Sequence, residues 1–339
     1  MLSWLPWLLF WPQTNPEALV HLKACSEILQ RNQAQQAVNE CKQAVGLDGH
    51  SGAAHLLLGQ AYLAMRSASM IAEAKAELQQ ALDLDPDLVW ARFYLAKVYL
   101  DTGRADKAKG ELEQALKTRP GVAFFLSLMG EAERKLGNPE GALPWHRKAL
   151  AADPKMNTAH YYAALAYMDL KKEDEAIAEL EASIQSPFVA PELYLTLGSL
   201  YTQRKRYREA EDLCRKAIAL DPAHSESYLN LAQLFNAQGL GSKALAALHQ
   251  ALPPGKTFAT SPYYQQLQAD IQFEFGRAYA AKGSPKEAIA AYLRCLSLDA
   301  ARAPAHRKLA ELYQMQGDGV HAAAQAALAD KLEGQKGSH

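Results

Sequence analysis

The sequence predicts an all-α fold, a right-handed solenoid of about nine helical hairpins. Three observations lead there. Proline recurs at Pro86, Pro120, Pro154 and Pro222, at intervals of 34, 34 and 68. Ala108, Ala142, Ala176, Ala210 and Ala244 keep the interval of 34 without a slip, and Tyr99, Tyr167, Tyr201 and Phe235 lie on the same period. Ala and Leu dominate a chain in which β-branched residues are sparse, a composition that costs least in helices. A fixed period of this size marks one supersecondary unit repeated along the chain. It also accounts for 339 residues, more than one ordinary compact core holds.

Each unit reads as two helices. The first carries a small residue with an aromatic three positions later, as in "YLTLGSLY" from Tyr194 to Tyr201. A polar turn follows, and the second helix opens at the periodic alanine. Two turns carry a start signal: Asn138 before Pro139, and Ser284 before Pro285, each a cap residue followed by proline at the first helical position. The second helix ends near Asp-Pro, because proline disfavours helical geometry before it and donates no amide hydrogen bond. Gly59, Gly130, Gly198 and Gly276 fall mid-helix, where glycine costs about 1 kcal/mol relative to alanine. Close approach of a second backbone explains that cost, and the alanine twelve residues later is the expected facing contact.

This pattern resembles the tetratricopeptide repeat. The segment "YLTLGSLYTQRKRYREAEDLCRKAIALDP", Tyr194 to Pro222, matches nearly every offset of that motif. Nine units are expected, starting near Ala18, Gly52, Val89, Ala123, Asn157, Pro191, Ser225, Ala269 and Ala303. The resulting organisation is a Trp-rich apolar segment over 1–16, units one to seven over 17–252, an insertion or hinge loop over 253–262, units eight and nine with a C-terminal cap over 263–335, and a tail over 336–339. The second unit has three extra residues in its turn, within "MRSASMIAEA". Pro262 is expected to start a longer helix running through Tyr263, Tyr264 and Phe273 to Ala281. The first unit is the weakest match, with Ala24-Cys25 where Leu-Gly is usual.

The resemblance implies a concave groove lined by the first helices. Carrying its groove offsets across units three to five gives Trp90, Phe93, Lys97, Phe124, Glu131, Arg134, Tyr161 and Leu165, aromatics with a few charges of the kind that anchor a peptide. The alternative is that the aromatics are core between repeats. Units six to eight offer hydrogen-bonding groups instead: Glu192, Ser199, Thr202, Asn230, Gln233, Asn236 and Arg277. The Lys-and-Asn clamp with which some family members hold a C-terminal carboxylate is not reproduced, and neither is a ladder of groove asparagines.

Other classes find little support. The 36 basic and 37 acidic residues leave a formal charge of −1, so no nucleic-acid partner is expected. The basic run Arg204-Lys205-Arg206-Tyr207-Arg208 is followed by Glu209 and Glu211 and reads as a solvated turn. None of the four cysteines forms a Cys-x-x-Cys pair, and no two histidines stand four apart, so neither metal nor cofactor is expected. Cys25 and Cys41 fall at facing positions of unit one and are expected to be two buried thiols, a disulfide there requiring export. His160 beside Tyr161, and His146 beside Trp145, are the His-aromatic groupings, both read as structural rather than catalytic.

The N-terminal "MLSWLPWLLFWP" places Trp4, Trp7 and Trp11 around Pro6. It is too short to span a bilayer and reads as an export signal, an apolar cap or a membrane-surface anchor. Membrane contact is expected only through residues 1–12, and an exported or envelope-associated protein is as consistent with the sequence as a cytoplasmic one. The expected function is a non-catalytic adaptor holding a peptide or partner helix in the groove. The alternatives are an envelope-associated assembly or self-association factor, and a regulatory subunit of an enzyme complex.

Overall fold

The computed structural model describes residues 15–65, 67–186, 189–252 and 262–336. Residues 1–14 of the Trp-rich segment, Arg66, Pro187, Phe188, residues 253–261 of the insertion and the last three residues lie outside the described residues. Two compact units divide the chain, Met1–Ser186 and Pro187–His339.

The N-terminal unit is a stack of five helical hairpins: α1 (Pro16–Gln30) with α2 (Ala34–Leu47), α3 (Gly52–Ala64) with α4 (Ile71–Leu84), α5 (Val89–Asp101) with α6 (Ala105–Thr118), α7 (Ala123–Lys135) with α8 (Pro139–Ala152), and α9 (Asn157–Asp169) with α10 (Glu173–Ser183). Four more form the C-terminal unit: α11 (Pro191–Gln203) with α12 (Tyr207–Leu220), α13 (Ser225–Ala237) with α14 (Gly241–Ala251), α15 (Pro262–Ala281) with α16 (Pro285–Leu298), and α17 (Ala303–Met315) with α18 (Gly319–Lys336). The three extra residues of the second hairpin are absorbed by a short 3-10 turn at Ala68–Met70. The extended helix α15 starts at Pro262 and ends at Ala281, as its sequence suggests. It packs on both α13 and α14. The absent side chain of Gly241 permits this, since a Cβ there would stand 2.5 Å from the Ala278 carbonyl oxygen.

The turn inside almost every hairpin uses one left-handed residue: Asn32, Gly103, Gly137, Lys171, Lys205, Gly239, Gly283 and Gly317. The next amide then bonds back five residues, as from Arg104 to Tyr99 (2.7 Å) and from Arg206 to Tyr201 (2.8 Å). That closure satisfies the last carbonyls of the first helix. Asn138 caps α8 through its side chain to the Gly141 amide (3.0 Å). Ser284, expected to cap α16, makes no such bond, whereas Ser51 caps α3 by accepting from the Ala54 amide (3.3 Å). At the other end, Asp85, Asp153, Asp221 and Asp299 each accept the amide two residues on, fixing the bend that leads into the next hairpin.

The periodic alanines Ala108, Ala142, Ala176, Ala210 and Ala244 are fully buried. Their facing role is shared. At Gly198 the nearest atom to a built Cβ is the Ala210 carbonyl oxygen (3.6 Å), but elsewhere the tightest contact is a side chain four residues further along the second helix. Leu78 lies 2.7 Å from a Cβ at Gly59, His146 2.5 Å from one at Gly130, and Tyr292 2.5 Å from one at Gly276.

The first hairpin fills the same contact with a covalent bond. Cys25 and Cys41, with Cα atoms 5.5 Å apart, form a disulfide, which corrects the expectation of two free thiols. The close approach that requires glycine in other hairpins brings two cysteines into bonding range here. Cys214 and Cys295 are free and buried.

Two predictions follow from the turns and the disulfide. Lys171→Gly and Lys205→Gly relieve a left-handed backbone at a side-chain-bearing residue. Each is expected to stabilise the protein by about 1 kcal/mol, read as a higher urea midpoint at unchanged slope. Alkylation of the unfolded, unreduced chain is expected to modify two of its four cysteines, and all four after reduction. Reduction is expected to remove about 3 kcal/mol from the first hairpin, the value for a loop of this length, seen as faster amide exchange in α1 and α2.

Candidate functional site

The first helices of hairpins three to five carry the aromatic set. Trp90 and Phe93 stand one turn apart on α5, with ring centroids 5.5 Å apart and edge-to-face. Phe124 on α7 approaches both, at 6.4 Å from Trp90 and 6.3 Å from Phe93. Beneath them lies Phe125, fully buried, 5.0 Å from Trp90 and 5.7 Å from Phe93. The three outer rings are half-buried against the core of hairpins two to four. They therefore take part in packing between repeats and also present ring surface. Edge-to-face geometry of this kind fixes ring orientation beyond what area burial does.

The charged members sit beside this stripe. Glu131 is buried and receives two bonds from Arg134, Nε at 2.8 Å and Nη2 at 2.9 Å. Arg134 also reaches α9, donating from Nη1 to Asp169 at 2.7 Å. With two carboxylates on it, Glu131 first, the guanidinium stays firmly protonated. Arg134 thus ties α7 to α9. Lys97 is exposed on α5, within electrostatic reach of Asp101, as is Lys135. Tyr161 and Leu165 are half-buried on α9. Tyr161 leans on Tyr162 at 5.8 Å, and burial pushes the Tyr162 phenol up to about 12.

In the C-terminal unit the hydrogen-bonding residues are largely engaged with their own fold. Asn230 donates to the Glu226 carbonyl (3.1 Å) and Thr202 to that of Gly198 (2.8 Å). Asn236 on α13 donates to the Glu274 carboxylate (2.7 Å) and carbonyl (3.0 Å) on α15. Arg277 closes on both carboxylate oxygens of Glu274 at 3.1 Å, so buried Glu274 joins two of these groups, Asn236 and Arg277. Ser199 and Gln233 are half-buried; Glu192 is exposed and lies 3.9 Å from His224.

Neither His-aromatic grouping forms a catalytic arrangement. His146 is buried over Gly130, and both ring nitrogens lack a hydrogen-bond partner. Burial first, then the nearby Arg134 charge, lowers it to about 4. His160 bonds Glu179 through Nδ1 at 2.6 Å and faces the Pro154 carbonyl through Nε2 at 3.4 Å. The acidic partner of His160 was missed in the sequence; its signal was an acid nineteen residues after a histidine, a spacing found again at His21 with Glu40. Among the described residues no group of three or more His, Cys, Asp or Glu is placed to hold a metal ion, and no helix is long and apolar enough to cross a membrane.

Stacked two-helix units with small-residue contacts and an aromatic-lined row of first helices define an α-solenoid of interaction repeats. Sequence profiles described as tetratricopeptide repeat match residues 66–130 and 201–271, and 127–190, and one described as TPR repeat matches 276–317. The chain belongs to the tetratricopeptide repeat family. It is 26% identical over 195 residues to anaphase-promoting complex subunit 3 of Schizosaccharomyces pombe, covering 57% of this chain and 28% of that protein. It is 23% identical over 331 residues to human DnaJ homolog subfamily C member 3, covering 91% and 61%. The chain therefore spans less than two thirds of these relatives. Among solved structures, the APC/C hetero-tetramer Cut9-Hcn1 matches with a TM-score of 0.64 at 14% identity, over 95% of this chain and 75% of that one. The human IFIT1 dimer with PPP-AAAA matches with 0.59 at 17%, over 96% and 93%. At these identities the structures speak for the fold. The family and these relatives make the chain a protein-interaction scaffold in general terms.

His146 provides a test of the packing. Leucine is the buried residue at its offset in four other hairpins, as Leu78, Leu112, Leu180 and Leu248. His146→Leu is expected to stabilise the protein by about 1–3 kcal/mol, because two unpaired buried nitrogens disappear. The unfolded histidine titrates near 6.5 and the folded one near 4. The unfolded state thus binds the extra proton, and stability falls as pH drops from about 6.5 to about 4. The leucine variant is expected to lose that part of the acid sensitivity, measured by urea unfolding across the interval.

Proposed function

We propose that the chain is a non-catalytic adaptor that holds a peptide segment or partner helix along the first helices of hairpins three to five. The observation that carries this reading is the edge-to-face set Trp90, Phe93 and Phe124, held from below by Phe125 and still presenting ring surface. Aromatic anchors fixed by their own scaffold lose little entropy on capture, so binding orders chiefly the guest. Lys97, Tyr161 and Leu165 extend the surface along α5 and α9, and the Glu131–Arg134–Asp169 bridge sets the spacing of α7 and α9. For a guest lying on the C-terminal unit, Ser199 and Gln233 supply polar contacts, while Asn230, Asn236 and Arg277 hold the first-helix row in shape through their own hydrogen bonds. Among the described residues the hairpins bring no nucleophile, base and orienting acid together, which favours binding over turnover.

Affinity capture from native lysate with mass spectrometry tests this. The double variant Trp90→Ala, Tyr161→Ala is expected to lose the partners that the intact protein retains, at unchanged far-ultraviolet helicity. Lys97→Glu, a change at an exposed side chain, is expected to weaken capture several-fold without touching the core. Equal capture by folded double variant and parent would sink the assignment of the site.

A further inference from the structure

One position, the fourth of the first helix, is occupied by His55, Arg92 and His160 in hairpins two, three and five. Each reaches in two directions at once. Arg92 donates from Nη1 to Glu111 on α6 (3.0 Å) and from Nη2 to the Pro86 carbonyl in the preceding turn (3.1 Å). His55 meets Glu77 on α4 through Nδ1 (2.6 Å) and the Gly49 carbonyl through Nε2 (3.2 Å). His160 meets Glu179 on α10 (2.6 Å) and the Pro154 carbonyl (3.4 Å) in the same way. All these partners are acceptors. A carboxylate and a backbone carbonyl have no proton to give, and neutral imidazole has one N–H. The two bonds of a histidine therefore coexist only on the imidazolium, which reproduces the double donor that arginine supplies permanently.

We propose that His160 is a proton-operated clamp, locking its first helix to the turn before it and to its second helix when the ring is charged, and releasing one of the two ties when it is neutral; His55 has the same two kinds of partner in place. His306 marks the contrast. Its Nδ1 faces Gln325 (2.5 Å) and its Nε2 the Ala300 carbonyl (3.1 Å), and an amide can turn its NH2 toward a neutral ring, so this site keeps both bonds without a proton. Tyr228, at the same position, makes only the turn contact, to the Pro222 carbonyl (3.2 Å).

The surroundings of His160 favour the charged form. Hydrogen bonding to Glu179 is the largest influence and raises its pKa, against partial burial, with the charge of Glu179 and the Pro154 carbonyl adding to the rise. Glu179, from α10, is the charged group that faces the ring, and the turn between α8 and α9 offers the neutral Pro154 carbonyl. Because the folded value lies above the unfolded one near 6.5, the stabilisation is complete below about 6.5 and is lost as pH rises through the folded value. This sign is opposite to that of His146, so the two are separable.

The test is made on the full-length protein. Nitrogen-15 spectra of the ring followed against pH are expected to show His160 passing from imidazolium to a single-proton tautomer with its midpoint above that of the unfolded chain. Amide exchange in α9 and α10, corrected for its intrinsic pH dependence, is expected to show opening that grows with pH, by at most about tenfold per pH unit for one proton. His160→Arg, sterically precedented by Arg92, is expected to abolish this growth and hold the low-pH protection throughout. A midpoint at or below that of the unfolded chain, or a pH-dependence that persists in His160→Arg, overturns the proposal. The spectra of the unsubstituted protein decide the matter even if the variant folds poorly.

Discussion

The distance between the two helices of a hairpin governs this structure. Within each hairpin one small residue on the first helix lets a residue on the second seat directly over its backbone. Gly59 under Leu78, Gly130 under His146 and Gly276 under Tyr292 are three versions of that contact, and the bond between Cys25 and Cys41 is a fourth. A hairpin held this close turns its large side chains outward to the next one, so within each unit the core is shared between neighbouring hairpins. Isolated hairpins would have no such core, and stability accrues as a sum over interfaces.

From that spacing comes the character of the first-helix row. Its side chains divide between filling the seam between hairpins and facing outward, and aromatics large enough to do both occur where α5 meets α7. Polar groups on the same face are mostly joined to one another: Arg134 to Glu131 and Asp169, and Asn236 and Arg277 to Glu274. These pairings are partly buried, so they hold helix spacing as well as shaping the surface, and removing one partner leaves the other in poor solvent.

The 34-residue period made the helices, their order and their ends legible, because proline, glycine and alanine each mark a backbone requirement. The aromatic stripe was also legible, since Trp90, Phe93 and Phe124 fall on offsets that share a face. Pairings between side chains on different helices were not. Nothing in the spacing of Asn236 and Glu274 distinguishes a bond between them from a free amide. Cys25 and Cys41 were placed correctly as neighbours, but whether neighbouring thiols bond depends on oxidation as well as distance. The histidine clamp escaped notice because its partners are an acid on another helix and a main-chain oxygen, and the latter has no signature in sequence.

The covalent link in the first hairpin bears on how the chain is made. Its two sulfurs are separated by only 16 positions, while the remaining thiols, Cys214 and Cys295, lie far downstream and end up enclosed. In vectorial synthesis the early pair meets before Cys214 and Cys295 have emerged. Correct oxidation is then a matter of chronology, and a circularly permuted chain that delivered Cys214 first would forfeit that protection against scrambling.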